Sequence, residues 1–139
     1  MAVNLTGKRV LVTQADDYMG PQAIEDFRAA GAEVIADRTD LTEPGAAAHV
    51  VADAGPLDIL IANLAAPNHY GVAVADVDDE IWASVFDIMV HPLHRLVRAV
   101  APGMIAREQG KVIVFGSATP LRGMARLAAY TAARGAQAA

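Results

Sequence analysis

Short apolar runs alternate along this chain with longer amphipathic stretches. Lys8 to Thr13 (K-R-V-L-V-T) is an apolar run rich in β-branched residues, the pattern of a strand buried on both faces of a parallel sheet. Gly20-Pro21 then opens a helical pattern in which Ile24, Phe27 and Ala30 share one face, and Gly31 stops it. Glu33 to Asp37 reads as a second strand, and Glu43 to Ala54 as a helix with Pro44 in its first turn. Leu57 to Asn63 is a third strand, bounded by Gly55-Pro56 ahead and the polar P-N-H-Y-G loop behind. Asp78, Asp79 and Glu80 bring negative charge to the start of a long helix over Asp79 to Arg107, where the helix dipole favours it. Pro92 inside that stretch predicts a kink or a join between two helices. Lys111 to Phe115 is a fourth strand ending at Gly116-Ser117, and the helical pattern resumes at Leu127.

Strands alternating with helices argue for an α/β fold, a Rossmann-like, doubly wound parallel sheet in three layers, with residues 1–139 forming a single domain. Ligands of such sheets sit at the carboxyl ends of the strands. Thr13, Asn63 and Ser117 occupy three of those ends, so they are expected to converge on one crevice. The gap between the second and third strands is short, as if one strand-helix unit of the full pattern were abbreviated. Little sequence follows Arg134, so the C-terminal part of the fold is expected to be missing here, with an apolar sheet edge left beside the fourth strand.

Composition narrows the partners. Hydrophobic residues make up 54% of the chain and charged ones 19%, a close-packed rather than a disordered composition. The net charge of -5, without any run of lysine or arginine, predicts no nucleic-acid partner and no membrane partner. With no cysteine, disulfides and thiolate metal sites are excluded, and the cytoplasm is the expected setting. His91 and His94 lie three apart on a helix, but no carboxylate or cysteine cluster completes a metal set, so no metal is expected and both histidines read as core or interface residues. Trp82, Val85 and Phe86 fall at helical spacing and read as core.

The turn after the first strand bears on the cofactor. A dinucleotide site on this layout needs glycines there, because backbone must approach the pyrophosphate closely. Here Thr13 to Gly20 reads T-Q-A-D-D-Y-M-G. Gln14 and Tyr18 stand where glycines would be needed, Asp16 and Asp17 set negative charge against a phosphate, and Gly20 alone remains, for close packing of helix on strand. The turn therefore reads as blocked to NAD(P), and no cofactor is expected. Asp37 keeps the position of a ribose-binding acid at the end of the second strand.

Candidate chemistry gathers between Ser117 and Arg134. Tyr130 and Arg134 on one helix stand a turn apart on one face, where a fixed cation can act on the phenol. A cation in hydrogen-bond reach favours phenolate, the form that serves as a general base. Ser117, delivered from a strand end, would hold the substrate oxygen that this base deprotonates. Asn63, Pro67, Asn68, Tyr70 and Ala118 are candidates to line the substrate pocket, with His69 beside them; an ordinary surface loop is the competing reading of residues 67 to 70.

Ser117, Tyr130 and Arg134 match the S-x12-Y-x3-R pattern of the halohydrin dehalogenases, relatives of the short-chain dehydrogenases/reductases, which carry lysine where Arg134 stands. Thr13, Tyr18 and Gly20 match that family's second signature, T-x4-(F/Y)-x-G. The stretches A-E-V-I-A-D-R-T-D-L-T and I-M-V-H-P-L-H-R resemble its B-type branch, and the resemblance runs over the whole chain. It implies a lyase that closes vicinal halohydrins to epoxides without nicotinamide, releasing halide and a proton, and that opens epoxides with small anions in reverse. Tyr130 would be the base, Ser117 the oxygen holder and Arg134 the cation that supports the phenolate. Thr13, Tyr18 and Gly20 would form the turn that replaces the nucleotide site with a halide site. The implied assembly is a homotetramer built on the long helix and the Tyr130 helix. Two other readings stand beside it: an NAD(P)-dependent short-chain dehydrogenase/reductase, and an inactive fragment or interaction domain.

Overall fold

The computed structural model describes residues 3–66 and 71–139. Four parallel strands, β1 (Arg9–Val12), β2 (Glu33–Ala36), β3 (Ile59–Ala62) and β4 (Lys111–Val114), form one sheet in the order β2-β1-β3-β4. Helices fill the connections: α1 (Gly20–Ala29), α2 (Ala46–Ala54), α3 (Asp79–Met89), α4 (His91–Ala106), the single turn α5 (Thr119–Arg122) and α6 (Ala128–Ala138). This is the expected Rossmann-like α/β architecture. Among the described residues no helix is long and apolar enough to cross a membrane.

The alternation of side chains along the central strands explains the layering. Val10 and Val12 of β1 join Ile59 and Ile61 of β3 in a cluster closed by Ala23 and Ile24 of α1. Leu11, Leu60 and Ala62 point into a second cluster with Leu96, Val100 and Met104 of α4 and Ala47 and Ala54 of α2. Apart from Arg9 at the start of β1, the two central strands are apolar throughout, and the sheet is buried on both faces there, as the near-continuous apolar runs require. A third cluster joins Val85 and Met89 of α3 to Ala129, Tyr130 and Ala133 of α6. It carries the helix with the candidate base against the body of the fold. At the other end, β4 is a sheet edge on which Val112 and Ile113 remain 40% and 38% exposed.

Strand ends shift by one or two residues from the sequence reading, and the join that Pro92 predicts in the long helical stretch falls at Val90, whose N–H still closes onto the Phe86 carbonyl while its own carbonyl accepts from His94. Pro92 sits in the first turn of the second helix, where its missing N–H costs nothing. The helix expected from Glu43 starts only at Ala46, because Glu43 to Gly45 form a turn closed by the Ala46 N–H on the Glu43 carbonyl. The one-turn helix α5, after Ser117, was not expected.

The starts of β1 and β3 are tied by Asp58, which accepts from the Arg9 N–H at 2.9 Å and from Lys8 Nζ at 3.2 Å. The Arg9 N–H, aided by Lys8, holds the Asp58 carboxyl below its ordinary value of 3.8. A carboxylate whose folded-state value is depressed stabilises the fold fully above its unfolded value and loses that contribution as the pH falls through the folded value. Asp58→Asn is therefore expected to lower stability by about 1 kcal/mol at neutral pH. In denaturant melts the gap between variant and parent should close as the pH is taken below the ordinary carboxylate range, and a gap independent of pH would contradict this role.

Candidate active site

The site is assembled at the carboxyl ends of β1, β3 and β4. Thr13, directly after β1, is fully buried and its hydroxyl donates to the Asn63 carbonyl at 3.1 Å. Asn63 follows β3 and is also fully buried; its amide donates to the Gln14 and Asp17 carbonyls, both at 2.9 Å, and its Oδ1 accepts from the Met19 N–H at 3.4 Å. Asn63 was a candidate to line the substrate pocket, but its side chain is spent holding the first turn from beneath. Gln14 reaches across the same gap, its Oε1 accepting from the Ala65 N–H at 2.9 Å.

That turn keeps the backbone of a glycine-rich loop without the glycines. Gln14 and Tyr18 have φ of 44° and 51°, the left-handed region that glycine enters at least cost. Gly20 survives for a steric reason, since a Cβ there would lie 2.5 Å from the Gln14 carbonyl oxygen and 2.7 Å from that of Ala15. The Tyr18 hydroxyl donates to the Gly116 carbonyl at 3.4 Å, so its side chain spans from the first turn to the end of β4.

On α6, Arg134 Nε donates to the Tyr130 hydroxyl oxygen at 3.0 Å. The expected one-turn spacing is realised in a buried setting, with Arg134 1% and Tyr130 7% exposed. Arg134 Nη1 donates to the Phe115 carbonyl at 2.6 Å, to Gln137 Oε1 at 2.8 Å and to the Leu64 carbonyl at 3.2 Å. The guanidinium carbon lies 5.1 Å from the ring centroids of both Tyr18 and Tyr130, within cation–π range. Hydrogen bonds from Nε and Nη1 and the two ring faces take the place of water around most of this buried charge, while Nη2 is buried with no hydrogen-bond partner among the described residues. The start of α6 is fixed by the segment that follows the third strand: the Gly71 N–H bonds the Arg126 carbonyl, Arg126 Nη1 returns to the Gly71 carbonyl at 3.2 Å, and Val72 bridges Leu127.

Ser117 stands one residue beyond the Gly116 carbonyl that Tyr18 reaches and two beyond the Phe115 carbonyl that Arg134 reaches. Its Oγ donates to Thr119 Oγ1 at 3.1 Å and accepts from the Thr119 N–H at 3.2 Å, a local turn that opens α5. The structure thus brings Tyr18, Tyr130 and Arg134 into contact and sets Ser117 at the adjoining strand end. Ala118 is exposed beside it. The pocket candidates Pro67, Asn68 and Tyr70, with His69, lie outside the described residues. Among the described residues no cluster of His, Cys, Asp or Glu could hold a metal ion.

On the ribose side of the first turn, a cavity of about 280 Å³ is lined by residues that include Gln14, Asp16, Asp17, Arg38 and Thr42, and none of the Ser117–Tyr130–Arg134 group borders it. Arg38 and Asp16 form a two-pronged ion pair at 2.6 and 2.7 Å beside it, and the hydrogen bond from Arg38 holds the Asp16 carboxyl below its ordinary range. Asp37 Oδ1 accepts from the Thr39 N–H and hydroxyl, while Oδ2 is buried with no hydrogen-bond partner among the described residues. With side chains at both glycine positions and the Tyr18 side chain across the crevice, the residues present do not fit the pyrophosphate of a dinucleotide.

Gln137 escaped the sequence reading. It is 8% exposed and bonds Arg134 as well as two backbone carbonyls. The available signal was one polar side chain, three residues past Arg134, in a helix otherwise built of alanine and glycine at its end.

The profile of the family described as short chain dehydrogenase matches residues 2–139. A 2-keto-3-deoxy-L-fuconate dehydrogenase of Xanthomonas campestris is 31% identical over 86% of this chain and 46% of its own length. A D-xylose 1-dehydrogenase of Caulobacter vibrioides is 31% identical over 94% of this chain and 62% of its own length. Among solved structures, one named a dehalogenation enzyme superposes with a TM-score of 0.86 at 26% identity, over 98% of this chain and 64% of that one. The chain spans about half the length of the curated relatives it matches.

Gly20→Ala is expected to destabilise the protein by about 1–3 kcal/mol, since the added methyl must displace backbone. Thermal denaturation checks this, and a variant as stable as the parent would remove the steric account of that glycine.

Proposed function

The chain belongs to the short-chain dehydrogenase family, and because its first turn carries Gln14 and Tyr18 while an arginine holds its tyrosine, we propose that it acts as a halohydrin dehalogenase of the B-type branch. The observation that carries this reading is the 3.0 Å hydrogen bond from the buried Arg134 Nε to the Tyr130 hydroxyl, with the Tyr18 ring on the same guanidinium. A hydrogen bond donated by a cation favours phenolate over phenol, and arginine, unlike lysine, stays charged and cannot itself become the base. Tyr130 takes the proton from the hydroxyl of a vicinal halohydrin while Ser117 holds the same oxygen. The alkoxide attacks the neighbouring carbon in line, a carbon–oxygen bond forms, and the carbon–halogen bond breaks with its electron pair leaving on the halide. The products are an epoxide, a halide ion and a proton passed from Tyr130 to solvent. In reverse, a halide or another small anion opens the epoxide. The similarity to the dehalogenation enzyme supports the same reading. The proposed assembly is a homotetramer.

A second reading, an NAD(P)-dependent dehydrogenase of the same family, is favoured by the dehydrogenase relatives and by Asp37 with its unpartnered oxygen at the end of β2. The two readings part on one assay. Halide and proton release from a vicinal chlorohydrin, without added nicotinamide nucleotide, is expected from the full-length protein, and Tyr130→Phe should lower that rate by about 10²–10⁴-fold. Nicotinamide-dependent alcohol oxidation with no halide release would install the second reading instead.

A further inference from the structure

The last turn of α6 holds a residue that the reaction above does not use. Gln137 lies nearly one helical turn beyond Arg134, and its single amide is fully engaged. Oε1 accepts from Arg134 Nη1 at 2.8 Å, and Nε2 donates to the Met89 carbonyl at 2.8 Å and to the Leu64 carbonyl at 3.3 Å. Met89 ends α3 and Leu64 follows β3, so this one side chain locks the guanidinium to two elements outside its own helix. A guanidinium is planar and rigid, so fixing Nη1 also fixes where Nε points. The Tyr130 oxygen lies on that line, 3.0 Å away.

The chemistry of the holder matters as much as its position. The acceptors around Arg134 are two backbone carbonyls, an amide oxygen and the phenol, and no carboxylate pairs with it among the described residues. A glutamate at position 137 would accept from Nη1 equally well. It would also spend part of the cation's charge on itself, and it would bring no donors to the Met89 and Leu64 carbonyls. A neutral amide holds the cation and leaves its charge directed at the phenol.

We propose that Gln137 is a positioning residue for Tyr130, acting through Arg134 as a neutral anchor. Its kinetic consequence rests on the halohydrin reading; the anchoring itself does not. The test compares the full-length protein with Gln137→Met, which keeps the volume and loses the acceptor and donors, and with Gln137→Glu, which keeps the acceptor and adds charge. For epoxide formation from a vicinal chlorohydrin, both variants are expected to lose on the order of ten- to a hundredfold in kcat with little change in KM. The acid limb of the pH–rate profile should move to higher pH in both. A loss of thermal stability with an unmoved profile in whichever variant folds would mean that Gln137 is only structural, and would overturn the proposal. If the parent protein turns over no halohydrin, the functional reading fails and a second readout decides the anchoring alone. That readout is the near-ultraviolet phenolate absorbance assigned to Tyr130 by difference from Tyr130→Phe. Its appearance at higher pH in Gln137→Met than in the parent supports the anchor, and superimposable titrations refute it.

Discussion

A guanidinium taken almost wholly out of water must find substitutes for its hydration, and the ends of three strands and two helices are arranged around that need. Arg134 draws on the Phe115 carbonyl past β4, the Leu64 carbonyl past β3, the Gln137 amide and the phenol of its own helix, with the Tyr18 ring closing from the first turn. Three of these contacts, past β4, past β3 and from the first turn, tie different stretches of chain to one point on α6. Removing the charge would leave carbonyls without donors, and removing the carbonyls would leave a bare buried cation. In the proposed reaction the same point is where a proton leaves the substrate hydroxyl, so what orders the crevice would also condition its base.

Much of this could be read from sequence because it depends on spacing. The strands show as apolar runs since both faces of the central strands are buried, and Tyr130 and Arg134 meet because four residues is close to one helical turn. Pro92 marked a discontinuity, and Val90 proved to be the joint. Other features depend on contacts that no local pattern encodes. Gln137 bonds carbonyls 48 and 73 residues earlier in the chain, and its neighbours are too uniform to draw the eye to it. Asn63 lay where a pocket residue was expected, and only the three-dimensional path of the first turn shows that its amide is consumed there. The start of α2 shifted because Glu43 to Gly45 satisfy a turn before any helix can begin.

The first turn shows how a fold can keep a shape after losing the residues that make the shape easy. Glycine permits the left-handed backbone at positions 14 and 18 without penalty, whereas glutamine and tyrosine hold it at a cost. The compensation is visible: the Gln14 side chain bonds Ala65, the Tyr18 side chain bonds Gly116 and lies against Arg134, and both become part of the crevice wall.

Asn63 gives that loss a broader meaning. Its amide holds the Gln14 and Asp17 carbonyls and the Met19 N–H, so the path of the loop is set by main-chain groups gripped from below. The side chains at positions 14 and 18 add bonds of their own to Ala65 and Gly116, but the grip of Asn63 is on main-chain groups that every residue type carries. A loop built this way separates scaffold from lining, and its chemistry can be rewritten by substitution while its geometry is inherited intact.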